Sequence, residues 1–285
     1  MKRILMICAI ITVLTTAGIV WVLFSESYNF FQHVSLLDFL TDTKWSPTVA
    51  DEKHFGILPL LSGTLMTTII AMAIAIPMGI TIAIYLSEYA PKKFRYYIKP
   101  LLEILAAIPT VVYGFFALTV VTPFLQQYIP NLAGFNALSA GLVMGIMIIP
   151  MISSLSEDAL YAVPKSLREG SYGMGATRLQ TSFNVILPAA SSGIIVSIIL
   201  AFARAVGETM IVTVAAGNMA NLTADPRETV ATITAFIVNM STGDVPQNSI
   251  EYQTIFAAGV TLFVFTFLLN SISFYIKKRF QEKYD

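Results

Sequence analysis

Six stretches of about 20 mostly apolar residues constrain this fold more than any other feature of the chain. A bilayer core about 30 Å thick needs ~20 helical residues at ~1.5 Å each. The stretches fall at residues 4–24, 57–86, 100–125, 137–155, 189–216 and 253–276. The third and fourth share a charge-free interval, 104–156, which is too long for one helix and is divided at Gln126, Gln127, Tyr128, Pro130 and Asn131. Only 12% of the residues are charged, about half the ~25% of soluble domains, while 56% are hydrophobic and the mean hydropathy is +0.73. A water-soluble globule cannot cover its surface from that composition, so a soluble enzyme is excluded. The expected fold class is an all-α membrane protein with six transmembrane helices.

Six crossings put both termini on one side, and the basic residues say which. Lys2 and Arg3; Lys92, Lys93, Arg95 and Lys99; Lys165, Arg168 and Arg178; and Lys277, Lys278, Arg279 and Lys283 share a side, against Lys44, Lys53 and Arg227 on the other. The positive-inside rule makes both termini cytoplasmic and places His33 and His54 outside. The first span is read as a retained anchor, because its apolar run is longer than a cleaved leader's and no small-x-small site follows Phe24. Residues 230–238 are too short to cross and are expected to be re-entrant or to lie at the membrane surface. Residues 1–60 form the first helix and an external segment, 61–276 the transmembrane domain, and 277–285 a basic cytoplasmic tail.

Most marks of catalysis are missing. Balanced charge, 17 basic against 17 acidic residues, gives no field for nucleic acid. The single cysteine, Cys8, allows no disulfide framework and no thiolate metal cluster. The sequence has no phosphate-binding P-loop, zinc-protease helix or nucleophile elbow, and no aspartate or histidine within a span to relay protons. Uphill movement of a solute would need energy from a partner.

Two charges do lie deep in an apolar run. Arg204 and Glu208, one turn apart in a continuous fifth helix, are expected on one face, with Gly207 allowing close approach. A central arginine costs about 2.5–3.5 kcal/mol on insertion scales and therefore faces a partner or a wet cavity. Either the two neutralise each other for packing, or Arg204 offers its planar fork to an anion while Glu208 holds it. Glu103, four residues after Lys99, reads as an interfacial ion pair, so Lys99→Ala is expected to be mild. Pro77 and Pro109 remove backbone hydrogen bonds and are expected to kink their helices.

The inside connection 157–187 carries the most specific local grammar. Ser166-Leu167-Arg168-Glu169 and Thr177-Arg178-Leu179-Gln180 both have capping-box spacing, so a short helix is expected to start at each. Gly175 suits the left-handed residue that ends the first, and Pro188 limits the second. Leu167 and Tyr172, with Leu179, Phe183 and Ile186, give these helices apolar faces for a partner's groove or for the membrane.

The same segment resembles a known family. Glu169-Gly170-Ser171, then Gly175, then Val185-Ile186-Leu187-Pro188 is similar to the EAA loop of ABC importer permeases, with Gly170 and Ser171 in place of two alanines and Val185 in place of isoleucine. Ile84-Tyr85-Leu86-Ser87-Glu88-Tyr89-Ala90, Ile108-Pro109-Thr110-Val111-Val112-Tyr113-Gly114, Arg204-Ala205-Val206-Gly207-Glu208-Thr209-Met210 and Ala216-Gly217-Asn218 resemble phosphate permeases of the PstC type. That resemblance implies a type I ABC importer permease fold and one permease half of a phosphate importer. It implies a second, PstA-like permease, two cytoplasmic PstB-like ATPases and an external PstS-like phosphate-binding protein. ATP would be bound by the ATPases, with no cofactor in this chain. Arg204, Gly207, Glu208 and Thr209 would line the phosphate path, and Ser166, Glu169, Gly175, Thr177, Leu187 and Pro188 would dock the ATPase. A permease for phosphonate, molybdate or sulfate, and an autonomous anion channel or carrier, remain open alternatives at this point.

Overall fold

The computed structural model describes residues 2–48, 52–247 and 249–280. Four helices are long and apolar enough to cross a membrane: α1 (Lys2–Phe31), α3 (Leu58–Ile84), α7 (Ala137–Tyr161) and α14 (Ile250–Phe280). Two bent pairs bring the number of spans to as many as six. The first joins α4 (Lys92–Ala107) to α5 (Thr110–Phe116) and α6 (Thr122–Gln126). The second joins α9 (Arg178–Thr181) and α10 (Leu187–Ala189) to α11 (Ser191–Val206), and the two bends are 84° and 70°. Shorter helices complete the chain: α2 (Leu36–Thr41), α8 (Lys165–Gly173), α12 (Met210–Ala215) and α13 (Ile233–Thr242). A two-stranded antiparallel ribbon, β1 (Trp45–Ser46) with β2 (His54–Phe55), pairs Trp45 with Phe55.

Proline placement explains the breaks. The third apolar stretch is not one helix over 100–125. Ile108 is extended at ψ 130°, as steric pressure from the following proline demands, and the helix restarts at Thr110. Pro77 and Pro100, by contrast, stay inside their helices. Three wide π turns, Tyr85–Tyr89, Ala117–Val121 and Ser182–Ile186, are closed by the amides of Ala90, Thr122 and Leu187. Each of those residues precedes a proline, Pro91, Pro123 or Pro188, where the next amide donor is missing.

The fifth stretch is also interrupted. α11 stops at Val206, Gly207 caps it, and α12 begins at Met210. α7 runs past residue 155 to Tyr161, so Glu157 is helical and not part of the loop. α14 carries residues 277–280 as helix, while 281–285, including Lys283 of the expected basic tail, lie outside the described residues.

The core is built on α3 against α7. Small residues let these backbones approach: Ala71, Ala75, Ala140 and Gly145 sit at the contact with Met144 and Ile148. α5, α11 and α12 close over this pair through Tyr113, Ala201 and Ile211. The loop after α12 crosses to the start of α7, where the Pro226 and Glu228 carbonyls accept from Leu138 and Ala137. Those bonds, with Asn136 Oδ1 accepting from Ser139 at 2.7 Å, satisfy donors that a helix start leaves free. Side-chain and backbone bonds from Arg227 hold the Asp225 carboxyl at about 2, so this turn keeps its charge.

The segment after α1 packs as an aromatic cluster in which Phe30, Phe39, Trp45, Phe55 and Phe236 meet edge-on. α13 follows the extended residues Val230–Thr232. Its first residues are buried, with the Ile233 amide on Thr64 Oγ1 at 3.1 Å. The start of α13 is thus packed into the helix cluster, while residues 241 and 242 at its end are exposed.

A Cβ at Gly145 would lie 2.8 Å from the Ala71 carbonyl oxygen, backbone that cannot yield cheaply. Gly145→Val is expected to lower stability by about 1–3 kcal/mol through overpacking. Gly134→Ala, where nothing lies within 4 Å, should stay within ~0.5 kcal/mol. Thermal unfolding of the two variants in detergent checks the contrast.

Candidate functional site

Two places gather polar side chains against this apolar frame: a cavity beside α7, and the connection between α7 and α11. The cavity, about 380 Å³, lies among α4, α7 and α11. Met147, Pro150 and Met151 form its wall, and Lys99, Glu103, Glu157 and Arg204 give it charge. Arg204 reaches it from the last turn of α11, ~20 Å along the helix from Ser191. Among the described residues no ion pair forms to Arg204, which is exposed.

Glu208 is not its partner. Because α11 ends at Gly207, the carboxylate does not follow on the same face. It is 9% exposed and accepts from the amides of Met210 and Ile211 at 3.1 and 3.4 Å, starting α12. Its backbone carbonyl accepts from Thr234 Oγ1 at 2.6 Å, tying the break to α13. Gly207 is exposed, and the Thr209 hydroxyl donates back to the Gly207 carbonyl at 3.3 Å. The structure thus separates the expected pair, with Arg204 facing the cavity and Glu208 holding the chain reversal.

The expected Glu103–Lys99 ion pair is also absent among the described residues. Lys99 turns instead to α7, 3.4 Å from Glu157 and 3.1 Å from Asp158, and Arg95 pairs with Glu157 from one turn earlier. The reason is the face of α4: Arg95, Ile98, Lys99 and Leu102 point inward, whereas Glu103 is exposed at the cavity rim. The local i,i+4 reading missed Glu157, Arg95 and Asp158. A lone acid at the end of an apolar helix, set against two basic residues one turn apart, is the signal that points to them.

The connection folds as two short helices. Gly175 takes φ +84°, and the bonds from Gly175 to the Tyr172 carbonyl and from Ala176 to Ser171 make the Schellman ending of α8. Thr177 and Gln180 form the full capping box of α9, as expected. Ser166 does not, because α8 already starts at Lys165, two residues before a Ser166 cap would allow, with Pro164 in the capping position. Leu187 and Pro188 continue into α10 across a π turn, and the helix bends only after Ala189.

Arg168 anchors this unit. Its guanidinium donates to Glu88 at 3.0 Å and to the Leu160 and Val163 carbonyls at 2.7 and 2.5 Å. Glu169, Tyr172, Met174, Leu179 and Phe183 are exposed around the turn, an acid amid apolar groups facing outward.

Residues 75–282 match the family of binding-protein-dependent transport system inner membrane components. The chain belongs to that family. It is 38% identical over 280 residues to the probable ABC transporter permease protein YqgH of Bacillus subtilis, covering 98% of this chain and 90% of that protein. It is 34% identical to the phosphate transport system permease protein PstC of Mesorhizobium japonicum, covering 95% and 87%. The resemblance to PstC-type permeases is therefore borne out. In fold it is similar to a bacterial ABC transporter involved in the import of the acidic polysaccharide alginate, at a TM-score of 0.63 and 16% identity over 96% of each chain. It is also similar to the inward-facing MetNI methionine ABC transporter, at 0.60 and 18%, over 80% of this chain and 95% of that one. The chain is a permease subunit and not an enzyme.

Arg168→Ala strands Glu88, only 7% exposed, without its cation. The loss should be about 2–3 kcal/mol, felt locally. Hydrogen exchange is expected to accelerate over residues 165–173 and 85–89 and to stay unchanged in α1.

Proposed function

We propose that this permease is one half of an ATP-driven importer that carries inorganic phosphate into a bacterial cell across its plasma or inner membrane. The observation that carries the reading is Arg204, a guanidinium without a carboxylate partner among the described residues, at the wall of a cavity within an apolar helix cluster. Such a group is tolerated where an anion or water meets it, and its planar fork suits a tetrahedral oxyanion. Relatives named for phosphate transport over most of the chain support phosphate as that anion.

Six spans with both termini cytoplasmic, each bent pair counted as one crossing, agree with the distribution of basic residues. The chain contains only part of the machine. A second permease, PstA-like, would complete the conduit, a PstS-like binding protein would deliver phosphate from outside, and two PstB-like ATPases would bind ATP. The exposed apolar turn from Tyr172 to Phe183, with Glu169 and Gly175, is the surface offered to an ATPase groove. ATP-driven closure would push this unit, and Arg168 would pass the displacement through Glu88 to the end of α3. Rocking of the two permeases would then expose Arg204 alternately to either side.

In liposomes holding the four kinds of subunit and internal ATP, Arg204→Gln should lower phosphate uptake by more than about tenfold, the loss of one charge-assisted contact. Membrane insertion should be unchanged. Wild-type uptake by this variant, or uptake by the permease alone without ATPases, would refute the reading. In the same assay Glu169→Ala or Gly175→Val should uncouple ATP hydrolysis from uptake; undiminished coupling in both would remove the docking assignment.

A further inference from the structure

The cavity has a second charged end. α11 runs antiparallel to α7, with Gly193 against Ala159 and Ser197 on Ser156, which brings Arg204 level with Met147 and Pro150, while Lys99 lies at the other end on Glu157. Ten residues of α7 separate Met147 from Glu157, a distance of ~15 Å along the helix. Glu157 is 1% exposed, and Arg95 and Lys99 reach its carboxylate from α4. A carboxylate buried in this way is costly unless hydrogen bonds also complete its shell.

Of the two cations facing it, Arg95 is held closely, by Glu157 and by the Tyr161 ring, and Lys99 is the looser one. Lys99 divides itself between Glu157 at 3.4 Å and the exposed Asp158 at 3.1 Å. The Arg95 guanidinium carbon lies 4.6 Å from the centre of the Tyr161 ring. α4, which carries both cations, buries no residue of its own. The groups facing Lys99 are thus Glu157 and Asp158 from α7, Arg95 and Glu103 from α4, and, across the cavity, Arg204 from α11.

We propose that Lys99, backed by Arg95, is a second station for a tetrahedral oxyanion, which receives the anion at the inner end of the cavity after it leaves Arg204. The proposal rests on the importer reading and adds to it. A lysine ammonium on a flexible stem can swing from Glu157 to an arriving anion without moving its helix. Three nearby carboxylates offset the cations, so the anion displaces a competitor and is held only briefly. Conduction needs that balance, attraction enough to enter and weakness enough to leave. Glu157 is then a positioning residue that recaptures Lys99 when the anion departs. The expectation that Lys99→Ala is mild is reversed.

Two measurements on the full importer test this: ATP-driven uptake of radiolabelled phosphate in liposomes, and the shift in Tm that inorganic phosphate gives the purified complex without its binding protein. Lys99→Gln should lower maximal uptake by about tenfold and weaken the phosphate-induced shift, and Lys99→Arg should restore uptake to within about threefold of wild type. Glu157→Gln should also slow uptake but should lower the phosphate concentration that gives half the Tm shift, because its cations lose a competitor. If the cluster only clamps α4 to α7, both glutamine variants will lower Tm without phosphate and weaken the response together. That pattern, or Lys99→Gln uptake within about twofold of wild type, overturns the station. If wild type carries sulfate, phosphonate or molybdate and not phosphate, the phosphate reading fails by itself, and the same variants scored with that anion decide the station.

Discussion

A guanidinium that pairs with no carboxylate among the described residues, set where an apolar helix stops, is the constraint on which the proposed function depends. Had α11 continued for one more turn, Glu208 would have come beneath Arg204 and closed the charge upon itself. Gly207 ends the helix instead, and Glu208 spends its oxygens on the first amides of α12. The break therefore frees the cation and fixes the reversal with the same few residues. Thr234, donating to the Glu208 carbonyl, extends that fixation to α13.

The surroundings divide into rigid and loosely held parts. α3 and α7 meet through alanines and glycine with no room for an added carbon, which makes them a wall and not a hinge. α4 is held differently: it buries none of its residues and is fastened to α7 by Arg95 and Lys99 on Glu157 and Asp158. Charge pairs re-form in new arrangements more readily than packed cores do, so the helix bordering the cavity is also the one best able to shift. The α8–α9 unit is the mechanical opposite. Arg168 locks it to the π turn after α3 and to the end of α7, and under the proposed function a push there would reach the α3–α7 wall.

The sequence made the spans legible because a bilayer demands ~20 apolar residues per crossing, a requirement that no tertiary contact relaxes. It also exposed the Thr177 capping box and the left-handed Gly175, which depend on residues within one turn. The breaks were harder. Pro77 and Pro100 sit within helices while Pro109 ends one, and the residue type alone does not tell them apart. Glu208 is not the partner of Arg204 because an i,i+4 pair presumes a continuous helix, and a single glycine does not announce its end. Ser166 fails as a cap because α8 is capped at Pro164, two residues sooner. The Arg95–Lys99–Glu157 cluster spans two helices, and a window one turn wide does not connect them.

Under the proposed function residue 204 faces a wet conduit. Cys8 is the chain's single native cysteine, so in a Cys8→Ser background Arg204→Cys gives one reportable thiol, with Arg204→Cys in the unchanged chain as a check on the background. Modification of that thiol by a small, membrane-impermeant, charged reagent in the assembled importer measures its access to water directly. A conduit predicts reaction from one side at rest and from the other during ATP turnover. A thiol that reacts from neither side in either condition would mean that position 204 is sealed in dry packing, and the conduit would have to be sought elsewhere in the molecule.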